Sequence, residues 1–141
     1  MKHLIYSKID PAVLLHIIHR HEENKDPIAL TRKEALSNSE HYLQAMYLEI
    51  PAETIVKPHK HNAQERHTHQ THEGLLVFRG SIELSIYDMD NSFVEKHILQ
   101  EGDFYMIING GHSIKTLAPS QLFEFKNGPY YGPEKDKSDI S

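Results

Sequence analysis

Histidine is the residue type that first suggests chemistry in this chain. There are 12 among 141 residues, and seven of them lie between His59 and His112. Imidazole is the commonest metal-ligand side chain and the only one whose unperturbed charge changes near neutral pH. Metal binding and proton transfer are therefore the chemistries to weigh against a merely solvated, His-rich loop. Cysteine is absent, which excludes thiolate metal sites, disulfides and cysteine nucleophiles. Spacing narrows the field. His59 and His61 follow the apolar run Thr54–Lys57, and strand alternation would put both imidazoles on one face. His67 and His69 form a second His-x-His pair, and each pair has an acid shortly after it, Glu65 or Glu73. Glu73 opens an apolar run that closes at Gly80, and the turn Gly110-Gly111 can bring His112 back inward. His72 is out of phase with Glu73 and should point away. His16, His19 and His21 read as surface or satisfied core residues.

The elements that must position these groups are strands. Tyr42–Ile50, Thr54–Lys57, Gly74–Phe78, Ser81–Tyr87, Phe93–Leu99, Phe104–Ile108, Ser113–Leu117 and Gln121–Lys126 are alternating or β-branched runs with turn residues between them. Such a series predicts an antiparallel sandwich or barrel. Pro11–Arg20 reads as a further strand, and Thr31–Ser37 as one helical turn with Thr31 as cap and Glu34 three residues on. The expectation is a single domain over 1–141, with an N-terminal extension (1–41), a barrel core (42–126) and an irregular tail (127–141).

In Phe123-Glu124-Phe125-Lys126 either the two aromatics face inward or Glu124 and Lys126 do. Burying the phenylalanines is the cheaper arrangement; Glu124 turned inward would be a general base. Tyr105 and Tyr130 carry the same two options.

These segments resemble the two motifs of the cupin superfamily: His-x-His with a later Glu, six residues and Gly, then a Gly-Asp turn ending on His. Glu73 to Gly80 and Gly102 to His112 fit, with two departures. Ile108 stands where the family usually has Pro, and the stretch before His112 is one residue short. Pro58-His59-Lys60-His61, Gly110-Gly111-His112 and the run Phe123 to Tyr130, with its Glu-x-Lys-x-Gly-Pro-Tyr, are similar to a group of small cupins associated with bacterial surface-sugar gene clusters.

The resemblance implies an all-β double-stranded β-helix (a jelly-roll barrel) with an N-terminal strand extension. It also implies one divalent metal ion on His59, His61, Glu73 and His112 in preference to the pair His67 and His69. Three nitrogens and one oxygen suit Fe, Mn, Zn, Ni or Co equally. The expected activity is isomerase-, epimerase- or dioxygenase-like on a small polyhydroxylated or carboxylated substrate such as a sugar derivative, with Glu124 and Tyr105 as the catalytic candidates. The alternatives are a non-catalytic sugar- or metabolite-binding module and a barrel whose metal is purely structural.

Bulk properties constrain partners. A net charge of -5 gives no basic field for nucleic acid, and no run of about 20 apolar residues suggests a membrane span. The short apolar run Ala12–Ile18 lacks the features of an export signal, so the expected location is cytoplasmic. The same run is apolar enough to pack on another subunit, which leads to the expectation of a homodimer.

Overall fold

The computed structural model describes residues 1–23 and 26–141; residues 24 and 25 of the N-terminal extension lie outside the described residues. Among the described residues, ten strands and one short helix follow in order: β1 (Lys2–Tyr6), β2 (Leu14–His19), β3 (Arg32–Ala35), β4 (Met46–Glu49), β5 (Glu73–Arg79), β6 (Ser81–Tyr87), β7 (Phe93–Gln100), β8 (Phe104–Ile107), β9 (Gly111–Thr116), β10 (Gln121–Lys126) and α1 (Pro133–Asp136). They form a five-stranded sheet ordered β1-β2-β8-β5-β10, a three-stranded sheet ordered β7-β6-β9, and a β3-β4 hairpin. Every pairing is antiparallel.

One core joins the two larger sheets. Leu15, Leu75, Val77 and Tyr105 from the first meet Ile82, Leu84, Ile86 and Leu99 from the second, all nearly or fully buried. Alternation along each strand selects these residues, because every second side chain faces the partner sheet. On the other side of the five-stranded sheet, Ile17, Met106 and Ile108 are buried beneath Leu43 and Ala45 from the approach to β4.

From β5 onward the chain crosses repeatedly between the sheets, and glycine sits at three of the crossings. Gly80, between β5 and β6, has φ 86°, and a Cβ there would meet the Pro119 carbonyl oxygen at 2.4 Å. Gly110, before β9, has φ 71°, with the Tyr87 carbonyl oxygen 2.3 Å from where a Cβ would be. Neither position accepts a side chain without strain. At the third crossing, Gly102 is followed by buried Asp103. Its carboxylate accepts from the backbone N–H groups of Gln100 and His21 and from the Arg20 guanidinium at 2.8 Å. Asp103 thus closes the turn and holds the end of β2 against it.

Four local expectations need correction. Residues 32–35 form strand β3 in place of a helical turn, because Lys33 to Ala35 find ladder partners in Leu48 to Met46. The strand expected over 42–50 shortens to Met46–Glu49, since Leu43 and Ala45 are used to cover the main sheet. Thr54–Lys57 is no strand: it has no partner strand, and Ile55 and Val56 are 84% and 65% exposed. The irregular tail contains the turn of helix α1. The N-terminal extension contributes β1 and β2 to the main sheet. Leu15, Ile17 and Ile18 are at most 1% exposed within that sheet, so the run Ala12–Ile18 is consumed internally and offers little to a second subunit.

Candidate functional site

Glu73 begins β5 and shares its inward face with Leu75 and Val77, which carries its carboxylate into the space between the sheets. His112 lies on β9 directly opposite Ile86 of β6, and Ile86 is fully buried, so His112 points into the same space from the other sheet. The two meet with His112 Nε2 3.6 Å from Glu73 Oε1. Gly110 makes this possible by turning the chain sharply, and Gly111 by leaving room for Ile140 against it.

Tyr105, wholly buried on β8, places its hydroxyl 2.9 Å from His112 Nδ1. Burial pushes the Tyr105 phenol well above its ordinary pKa, with Glu73 and Glu124 adding to the effect, so it remains a neutral phenol. Burial also lowers the His112 pKa, against the opposing pull of Glu73. With the ring neutral, one proton is shared between its two nitrogens. If the tyrosine donates to Nδ1, Nε2–H faces Glu73; if Nδ1–H donates to the tyrosine oxygen, Nε2 offers a lone pair there.

The alternation along β10 also has an outcome. Glu124 and Lys126 share a face with Leu122, which packs on the core, while Phe123 and Phe125 are 52% and 48% exposed on the outer face. The cheaper arrangement, burial of both phenylalanines, is therefore not the one adopted. The Lys126 ammonium lies 2.8 Å from Glu124 Oε1 and 3.2 Å from Glu73 Oε2. Its hydrogen bond to Glu124, followed by that to Glu73, raises its pKa and keeps it charged. Tyr130 is largely exposed, its ring 5.7 Å from the Lys126 ammonium. A cavity of about 740 Å³ opens over this group, lined by Thr71, Glu73, His112 and Lys126 and, from the tail, Lys137 and Ile140.

His59 and His61 are placed differently. Residues 52–70 are exposed throughout and contain no strand, so strand alternation does not align these two imidazoles. They neighbour each other, with ring centroids 5.4 Å apart, and His59 Nδ1 donates to the Lys57 carbonyl at 2.9 Å. No three of His59, His61, Glu73 and His112 have ligating atoms within 4.8 Å of one another. His67 is also exposed, 3.0 Å from Glu65, and exposed His69 stands edge-on to Tyr42. His72 is buried away from the cavity, accepting the Tyr42 backbone N–H on Nδ1. From Gln70 the segment is anchored: Gln70 donates to the Ile108 carbonyl, and Asn127 brackets Gln70 and His72.

The donor chemistry of Glu73 and His112 suits a divalent ion, since 3.6 Å is a spacing that two ligands of one ion can have. The other two donors belong to a segment that stands apart from them. His16, expected at the surface or as a satisfied core residue, is neither. It is fully buried and stacks on Tyr105 with ring centroids 6.3 Å apart. Among the described residues, neither of its ring nitrogens has a hydrogen-bond partner. Only its apolar spacing in β2 could have signalled that burial. Compared with known proteins, the chain matches no family model, no curated protein and no solved structure.

Proposed function

We propose that this protein is a cupin-type jelly-roll metalloprotein acting on a small polyhydroxylated or carboxylated molecule such as a sugar derivative. The observation that carries the reading is the meeting of Glu73 and His112 from opposite sheets at the floor of a cavity. The glycine crossings at Gly80, Gly102 and Gly110 support the jelly-roll assignment. Glu73 and His112 would hold one divalent ion of the Fe, Mn, Zn, Ni or Co group, with His59 and His61 as the donors completing the set. His59 suits that role because its Nδ1 is already bonded to a carbonyl, leaving Nε2 for a ligand. Bound there, such an ion would polarise a carbonyl or hydroxyl oxygen of the substrate.

The chain's own residues account for the rest. Tyr105 fixes the ring of His112 through Nδ1, and with Nε2 on an ion its oxygen would accept the Nδ1–H. Lys126 presents a permanent positive charge to an anionic or carbonyl oxygen entering the cavity. Glu124, inward-facing yet half-exposed, can take a proton from carbon or hydroxyl next to that oxygen, as isomerisation or epimerisation requires. One observation favours the non-catalytic alternative: Glu124 is engaged by Lys126 at 2.8 Å, which suits a fixed binding wall as well as a base.

Elemental analysis of purified protein tests the reading. His112→Ala and His59→Ala should each lose one equivalent of metal, and His69→Ala should keep it. Full metal in both of the first two variants would overturn the proposed centre.

A further inference from the structure

We infer that a second metal site, distinct from the cavity, joins the outer edges of the two main sheets through His3, Glu95 and His97. Among the described residues these are the only three ligating side chains whose donor atoms all lie within 4.8 Å of one another. Their placement follows from strand pairing. On β1, His3 shares a face with Ile5, which is 3% exposed and part of the core, so His3 leans inward. On β7, Glu95 and His97 stand opposite Ile86 and Leu84, both fully buried, so they lean inward from the facing sheet.

β1 and β7 are edges of different sheets and share no ladder. The segment after β1 is tied to this region by the Lys8 ammonium on the Val94 carbonyl and by Ser7 donating to Asp88 at 2.7 Å. His97 Nε2 is already 3.0 Å from Glu95 Oε1, and the His3 ring meets the His97 ring edge-on with centroids 5.6 Å apart. Donors bonded to one tetrahedral ion at about 2.0–2.1 Å stand roughly 3.3 Å apart. Small rotations of His3 therefore complete a two-imidazole, one-carboxylate set.

The surroundings permit a cation. His16 lies behind the site, diagonal to His3 across the β1-β2 ladder, and burial holds it neutral with a pKa of about 3. It therefore places no positive charge against a bound ion. Two neutral imidazoles and one carboxylate select zinc or a neighbouring late transition ion over calcium or magnesium, which prefer oxygen. Water completes the coordination, and the ion's role is to staple the sheet edges.

The experiment uses the full chain carrying His59→Ala, His61→Ala and His112→Ala, which removes the histidines proposed for the cavity. Stripped of metal and titrated with zinc, this protein should bind one equivalent and melt at a higher temperature. Cobalt in its place should give the visible absorption of a tetrahedral site. Adding His3→Gln or Glu95→Gln should abolish the saturable equivalent and the rise in melting temperature. In the unmodified protein, zinc should shift the imidazole NMR signals of His3 and His97 together, which covers the case of a background that folds poorly. Zinc stoichiometry and melting unaffected by His3→Gln, or imidazole signals of His3 that do not move, would overturn the assignment. Failure of the cavity centre alone, with the equivalent at His3 intact, would leave this site standing.

Discussion

Replacing His16 with leucine should remove much of the acid sensitivity of the fold. His16 sits inside the main sheet, opposite Ile5 on β1 and Ile107 on β8, with both ring nitrogens unpartnered. Desolvation, reinforced by His112, lowers its pKa from 6.5 to about 3. The unfolded chain takes up this proton as pH falls through about 6.5, while the folded chain does not until about 3. The unfolded state therefore binds more protons across that window, and stability is full above it and lost progressively on acidification. At pH 4.5 the separation from the unfolded value is two units, and at about 1.36 kcal/mol per unit the loss from this one residue is about 2.7 kcal/mol. Leucine has a similar volume, no proton to accept and no orphaned nitrogen. Urea unfolding of both proteins at pH 7.5 and pH 4.5 measures the effect. The wild type should lose about 2.7 kcal/mol more than His16→Leu between the two conditions. Equal losses in the two proteins would refute the reasoning, because the remaining titrating groups are common to both.

Other perturbations have equally direct readouts. Gly110→Ala forces a side chain into φ 71° and against the Tyr87 carbonyl, and should cost about 2 kcal/mol or more by denaturant unfolding, with metal content falling as His112 is displaced. Asp103→Ala leaves the Arg20 guanidinium and two backbone N–H groups without their acceptor, and should lower stability by about 3 kcal/mol in the same assay. Metal content after dialysis should drop below pH of about 6.5, where an ordinary imidazole ligand takes a proton. With Ala12–Ile18 consumed internally, the exposed pair Phe78 and Phe123 is the apolar face left to a homodimer; light scattering at micromolar concentration should then give a dimeric mass that Phe123→Lys shifts towards the monomer.

Strands with one buried face were readable in advance. Ser81–Tyr87 alternates because β6 is central in its sheet and packs only one side on the core. β1 escaped notice because only Ile5 of its five residues is buried, leaving little periodicity to detect. β3 was misread for a related reason: its polar, exposed residues resemble a helix start, and only pairing with β4 fixes their conformation. Thr54–Lys57 shows the converse, a β-branched run with no strand beside it to accept its hydrogen bonds. Glu73 and His112 were legible as a pair through the glycines that follow and precede them. The convergence of Lys126 and Glu124 on them depends on which face of the edge strand β10 turns inward, and alternation alone leaves both choices open. His3, Glu95 and His97 were invisible as a group, since β1 and β7 meet only when both sheets are complete.

The strand order of the main sheet also governs how fast the protein can fold. β2 pairs locally with β1, but its other edge must wait for β8, which lies far along the chain. Closing so long a loop precedes any gain from the contacts it creates, which places folding towards the millisecond-to-second end of the scale. The β6-β7 hairpin pairs locally and can form early, whereas β10 is synthesised last and docks on β5 with two aromatics outward. During that interval the unpaired edge of β5, with Phe78 beside it, is the surface most exposed to association with another nascent chain.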